Sequence, residues 1–197
     1  MNVLLSTTYF GPVQWYQKLY RANQAWIEGQ ESFQKQTYRN RCLIATTQGV
    51  QALIVPVEGS RMSQPSTISN LRISDHGNWR HQHWQALVSS YRQSPFFEFL
   101  ADDFAPFYTR RWTFLADYNE ELMHLVLRLL DVSPTITRTT AFTPSPAWQP
   151  DSQPQQPYYQ VFASRHGFLP GLSIIDLLFN MGNEAILYLN DKHTLDI

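Results

Sequence analysis

Cysteine is almost missing from this chain: Cys42 is the one residue of its kind, which excludes an intramolecular disulfide and any cysteine-cluster metal site. Charge is also scarce. Charged residues make up 16% of the sequence, against about 25% in ordinary domains, so much of the polar surface must be uncharged. The formal net charge is −1, so no basic field exists to collect nucleic acid or anionic lipid. Long apolar runs are lacking. The best candidates are 52–57 and 125–130, the second interrupted by Arg128, whereas a membrane span takes about 20 residues. The opening Met1–Ser6 has neither a basic leader nor an apolar stretch of signal-peptide length, and the expectation is a soluble, cytoplasmic chain. With eight glycines there is no glycine-rich phosphate loop. His-Glu-x-x-His and Gly-x-Ser-x-Gly are absent too.

What is present is enough for one domain. At 197 residues the chain removes roughly two-thirds of its unfolded surface from water and can hold a core without staples. The expected organisation is a single α/β domain over 1–190 with a tail at 191–197. Val3-Leu4-Leu5 reads as a buried first strand. Gly11-Pro12 then turns the chain into a helix over about Val13–Ala22, with Trp15, Tyr16, Leu19 and Tyr20 on a 3.6-residue period. Ala25-Trp26-Ile27 reads as a second strand. Cys42–Ala45 and Val50–Val57, joined by Thr46-Thr47-Gln48-Gly49, read as a hairpin. Leu71–Ser74 and Tyr158–Phe162 have strand character, and helices are expected over about Trp79–Gln93 and Thr113–Leu130. Segment 134–157 holds six of the 12 prolines, which predicts a loop or lid without packed elements. Ser173–Asp176 resembles a capping box, and Gly182 is placed to end the helix it starts.

Four stretches could carry chemistry. Lys35, Arg39 and Arg41 bring three cations together beside a strand, suited to phosphate or carboxylate; the plainer alternative is a solvated loop. Asp75-His76-Gly77-Asn78-Trp79-Arg80-His81-Gln82-His83-Trp84 concentrates half of the histidines in the chain. On a helix the rings of His81 and His83 diverge by about 200°, so a metal site is not expected. His76 or His83 suits acid–base work instead, since imidazole titrates near neutrality; Asp75 and Asn78 can equally serve as helix caps. Arg165–Ser173, with His166, delivers a helix N-terminus that can attract an anion. Thr8-Tyr9-Phe10-Gly11-Pro12-Val13-Gln14 follows strand one at a helix start. It is similar in outline to the opening of the nucleotidyltransferase superfamily, but Gln14 and Gln17 stand at the two histidine positions of that motif.

Several of these stretches recur in one family. Thr8–Gln14, Tyr38–Cys42, Ser74–His81, Ser94–Glu98 and His166–Asn180 together resemble the WbqC-like family over most of the chain; Gly11 stands where relatives often show proline. The resemblance implies bacterial O-antigen and surface-polysaccharide biosynthesis as the setting. Among reactions it raises transfer of an acyl or aminoacyl group to an amino sugar. It supplies no catalytic residue to carry over.

The combined expectation is α/β: a mixed or mostly parallel sheet with packed helices, Rossmann-like and three-layered, and a Pro-rich loop near 134–157. Polar motifs would meet at the strand ends in one pocket. Tyr9, Gln14, Lys35, Arg39, Arg41, Asp75, Asn78 and Arg80 would bind substrate there, and His76, His166 or His83 would move the proton. The ligand would be a small molecule bearing phosphate or carboxylate, such as a nucleotide sugar. Neither nucleic acid nor a membrane span is expected, a homo-oligomer is compatible with the sequence, and no cofactor is indicated. Two rivals stand beside the transferase: a metabolite-binding protein without turnover, and a scaffold that presents the aromatic segment Phe96–Tyr108 to a partner.

Overall fold

In the computed structural model, residues 2–58, 67–143 and 155–190 are described. β1 (Asn2–Ser6) leads through a turn to α1 (Val13–Arg21), which returns the chain to β2 (Gln24–Glu28). β3 (Arg41–Thr46) and β4 (Gly49–Ile54) follow, then α2 (Trp79–Tyr91), α3 (Phe97–Phe104), α4 (Pro106–Thr109) and α5 (Leu115–Leu129). β5 (Ile136–Arg138), α6 (Ala163–His166), α7 (Ile174–Met181) and α8 (Ala185–Leu189) complete the described elements.

The fold is mixed α/β. β1, β2 and β5 form a parallel sheet in that order, and β3 and β4 form a separate antiparallel hairpin. Parallel strands need a crossover connection; α1 makes the first and the long excursion through α5 makes the second. α1 forms because Val13, Trp15, Tyr16 and Leu19 fall on one buried face, and Pro12 at its N-cap brings no N–H that would need a partner. α5 buries Leu115, Tyr118, Leu122, Leu125 and Val126 in the same way. One hydrophobic cluster draws on residues from Leu5 to Leu189.

Several expectations are corrected. The Pro-rich stretch does contain an element: Ile136–Arg138 pairs with Ala25–Ile27, just past Pro134. Residues 144–154 of that stretch, and the tail at 191–197, lie outside the described residues. Leu71–Ser74 makes only isolated bridges, Arg72 to Phe114 and Ile73 to Val57, while Tyr158–Phe162 is irregular chain entering α6. Ser173 does stand at the N-cap of α7, but its hydroxyl makes no capping hydrogen bond. The Asp176 carboxylate turns instead to Tyr91 and Tyr158, whose hydroxyls each donate at 2.7 Å, and to Gln160 Nε2 at 3.1 Å. Gly182 ends α7 at φ 53°, and a Cβ there would collide with the Phe96 ring. The aromatic segment is mostly core, with Phe97 and Phe104 buried and Phe99 left 78% exposed.

Candidate functional site at the carboxyl edge of the parallel sheet

Because β1, β2 and β5 run the same way, their C-termini open on one edge, where open α/β sheets place ligands. Ser6 lies opposite Glu28 in the register, and Arg138 lies opposite Ile27. Beyond the strands come Thr7 and Thr8, then Gly29–Glu31, then Thr139. Each loop is fastened by buried polar contacts. The Glu28 carboxylate accepts from the Gln30 N–H at 2.7 Å, the Thr139 hydroxyl at 2.7 Å and the Thr143 N–H at 3.0 Å, tying the exit of β2 to that of β5. Gly29 is needed for this approach, since a Cβ would lie 2.6 Å from Ser69 Oγ and 3.0 Å from the Thr139 carbonyl oxygen.

Arg39 holds the exit of β1. Its Nε donates to Glu31 Oε1 at 2.9 Å, Nη2 donates to the second Glu31 oxygen and to Ser6 Oγ at 3.1 Å, and Nη1 reaches Thr37 Oγ1 at 3.2 Å. It is a forked, buried ion pair of the kind guanidinium geometry favours. On the far side the first turns of α5 present Asp117, Asn119 and Glu120. Arg138 donates to Asp117 at 2.8 Å and also to Glu120, and those bonds outweigh burial in raising its pKa above the usual arginine value. Asn119 Nδ2 donates to Thr7 Oγ1 at 3.2 Å and to the Arg39 carbonyl at 2.8 Å. Its Oδ1 is buried and accepts nothing among the described residues. An unsatisfied buried acceptor costs roughly 1–3 kcal/mol.

Two clefts flank the Thr7–Thr8 pair. One, about 330 Å³ with its open mouth included but with enclosed room for little more than one water, lies between an apolar set (Trp15, Ile27, Ile68, Ala116, Met123) and a polar one (Glu28, Asn119, Glu120, Arg138). The other, about 420 Å³ measured the same way, is lined by Ser6, Gln36, Thr37, Tyr38 and Arg39. A ligand lying across Thr7 and Thr8 would reach both. No group of three His, Cys, Asp or Glu suited to a metal occurs among the described residues, and no described helix is long and apolar enough to cross a membrane.

The residues singled out in the sequence are placed as follows. Arg39 lines the polar cleft through a side chain already engaged with Glu31. Tyr9 and His83 meet in the core: the Tyr9 hydroxyl is 3.0 Å from His83 Nδ1 and 2.9 Å from the Tyr108 hydroxyl. Burial depresses the His83 pKa to about 4, even though the ring bonds the Ile54 backbone. Asp75 accepts from Arg80 at 2.6 Å and lies 3.6 Å from Arg111; the Arg80 hydrogen bond lowers its pKa. Arg80 also sits over the Trp79 ring, which meets His83 edge-on, so Tyr9, His83, Arg80 and Asp75 form one chain of contacts. His76 and Asn78 are exposed at the start of α2, and Asn78 is its N-cap without a side-chain cap bond. Lys35 is exposed, Gln14 is buried on α1, and Arg41 is half-buried at the start of β3. His166 Nε2 is 3.1 Å from the Thr46 carbonyl oxygen.

The sequence reading missed Thr7, Glu28, Asn119, Glu120 and Arg138. One signal was available for Asn119: it falls on the helical stripe of Leu115, Leu122 and Val126, a polar residue on an apolar face.

The chain can be compared with known proteins. A family model described as the WbqC-like protein family matches residues 7–151, a span that takes in Thr7, Thr8, Glu28, Arg39, Asn119 and Arg138. An uncharacterized protein of Mycobacterium tuberculosis is 26% identical, aligned over 80% of this chain and 83% of its own length. No solved structure matches. Since the family match spans well over half of the chain, the chain belongs to the WbqC-like protein family.

Proposed function

We propose that this chain is a transferase of bacterial surface-polysaccharide assembly, moving an acyl or aminoacyl group onto an amino sugar or nucleotide sugar at the carboxyl edge of β1, β2 and β5. The observation that carries the reading is the paired cleft around Thr7 and Thr8, one side apolar and one side polar. A sugar or phosphate suits the second, and an acyl chain would lie against the apolar wall at the mouth of the first. Family membership supports the pathway. In the proposed step the substrate amine attacks the acyl carbonyl, the amide bond forms, and the bond from acyl carbon to leaving group breaks. Glu120, a pocket-lining carboxylate 35% exposed and steadied by Arg138, takes the amine proton and passes it to the leaving group. Of His76, His83 and His166, solvent reaches His76 and His166, and they are the rival proton carriers.

The test is turnover of amino-sugar nucleotides with acyl-CoA or aminoacyl donors, read by product mass. Glu120→Gln should lower kcat by about 10²-fold or more with little change in KM. Loss of activity in His76→Ala or His166→Ala, with Glu120→Gln active, would move the chemistry away from this edge. A ligand-induced rise in Tm without product from any donor would turn the reading to a metabolite-binding protein.

A further inference from the structure

We infer that the outer edge of β4 is an interface between two copies of this chain, which pair β4 against β4 about a two-fold axis at Gln51. β3 and β4 form a sheet of two strands, so each has one edge outside the ladder. The edge of β3 is closed within the chain. The Ser173 N–H donates to the Leu43 carbonyl at 2.9 Å, and the Ala45 N–H donates to the Tyr91 hydroxyl at 3.0 Å. Leu43 and Ala45 thus turn their backbone groups away from β4. Opposite residues of an antiparallel ladder exchange both their hydrogen bonds or neither. Ala52 and Val50, the register partners of Leu43 and Ala45, therefore aim theirs away from β3, at the outer edge. That edge ends at Ile54, whose backbone the buried His83 ring bonds.

Edge strands are usually guarded by charge or proline. β4 carries neither, and its Val50 and Ile54 side chains stand half exposed. The uncharged run extends from Cys42 to Val57, so two copies meet here without repulsion. Turned about Gln51, each Val50 faces the partner's Ala52, and each such pair can exchange two hydrogen bonds. Gln51 then faces the partner's Gln51 in a close pair that makes no backbone bond. The same patch serves both copies, as a two-fold interface requires. A second copy suits the edge better than a loose peptide, because β3 already holds β4 extended and little entropy is lost on pairing. An open groove of about 950 Å³, mouth included, lies beside the edge between Gln48, Val50, Gln51 and Ala52 and the α2 residues Ser89 and Ser90. A pairing this short falls below the roughly 1,200 Å² of a standard interface, so the dimer is reversible.

Sedimentation of the full chain over a concentration series is the first measurement, and the mass should climb from monomer towards dimer. Ala52→Pro removes an N–H that the β3–β4 ladder does not use, a place where a strand tolerates proline. It should hold the chain monomeric with its fold intact by circular dichroism. Val50→Lys places a charge on the edge, should do the same, and decides the matter if Ala52→Pro does not fold. Crosslinking then fixes the register. The native Cys42 is buried and burial pushes its thiol pKa up, so it stays silent. Gln51→Cys should oxidise to a covalent dimer, since residues in a close antiparallel pair stand about 4.5 Å apart at Cα, within disulfide reach. Val50→Cys, which faces the partner's Ala52, should lose that crosslink. A parent chain that stays monomeric at every concentration overturns the inference and leaves the edge to some other extended chain. A dimer that survives Val50→Lys, or equal crosslinking through Val50→Cys and Gln51→Cys, overturns it as well.

Discussion

Asp176 offers a sharp test of how burial sets the electrostatics of this fold. Its side chain is fully buried between α2, α7 and the segment that leads into α6. Burial drives its pKa up from 3.8 to about 6, against the opposing pull of hydrogen bonds from Tyr91, Tyr158 and Gln160. Between about pH 4 and pH 6 the folded chain thus keeps a proton that the unfolded chain has released. Stability falls as pH rises through that window and levels off above it. A shift of this size corresponds to about 3 kcal/mol, at about 1.4 kcal/mol per pH unit. Asp176→Asn cannot titrate, so the stability difference between variant and parent should move in favour of the variant by up to that amount from pH 4 to pH 7. Urea unfolding of both chains across the range measures it, and independent titrations elsewhere cancel in the difference. A difference that is flat with pH, or one that moves towards the parent, would refute the reasoning.

Other outcomes follow from the same structure. Arg39→Ala should cost about 3 kcal/mol in denaturant unfolding, because it strands Glu31 and Ser6 in a mostly buried place, and Arg39→Lys should rescue little, lacking the fork. His83 works in the opposite direction to Asp176: its depressed pKa means a stability contribution present above the unfolded value and lost as pH falls from about 6.5 towards about 4. An imidazole midpoint near 6.5, by NMR, would contradict this. Gly182→Ala should destabilise by about 2 kcal/mol or more, since it combines a positive φ with a clash against Phe96. Phe99→Ser, at an exposed ring, should change the unfolding free energy by no more than about 0.5 kcal/mol.

Strong periodicity made some of the fold legible. α1 was expected over Val13–Ala22 and spans Val13–Arg21; the hairpin was expected about the Thr46–Gly49 turn, where β3 meets β4. β5 was hidden because three residues after a proline have no room for alternation, and their strand character comes from β2 alongside. The run at Leu71 meets its neighbours only in single bridges, to Val57 and Phe114, and the run at Tyr158 pairs with no strand among the described residues. The site was harder still. Arg39 was visible as one of a run of cations, but the run could not reveal that Glu31 and Ser6 would claim it. Glu28, Asn119 and Arg138 belong to three different elements, far apart in the chain, and only the shared edge of a parallel sheet makes them neighbours. His83 had the right chemistry for a proton carrier; its neighbours Tyr9, Trp79 and Tyr108 enclose it.

The most direct test of the central claim is calorimetric titration of a nucleotide sugar found to raise Tm, using the parent chain, Thr8→Val and Arg80→Ala. Thr8→Val removes one hydroxyl between the two clefts and keeps the shape, so affinity should fall by about tenfold, as for one lost hydrogen bond. Unchanged affinity in Thr8→Val together with loss of binding in Arg80→Ala would place the ligand beside Asp75 and Trp79 and contradict the account.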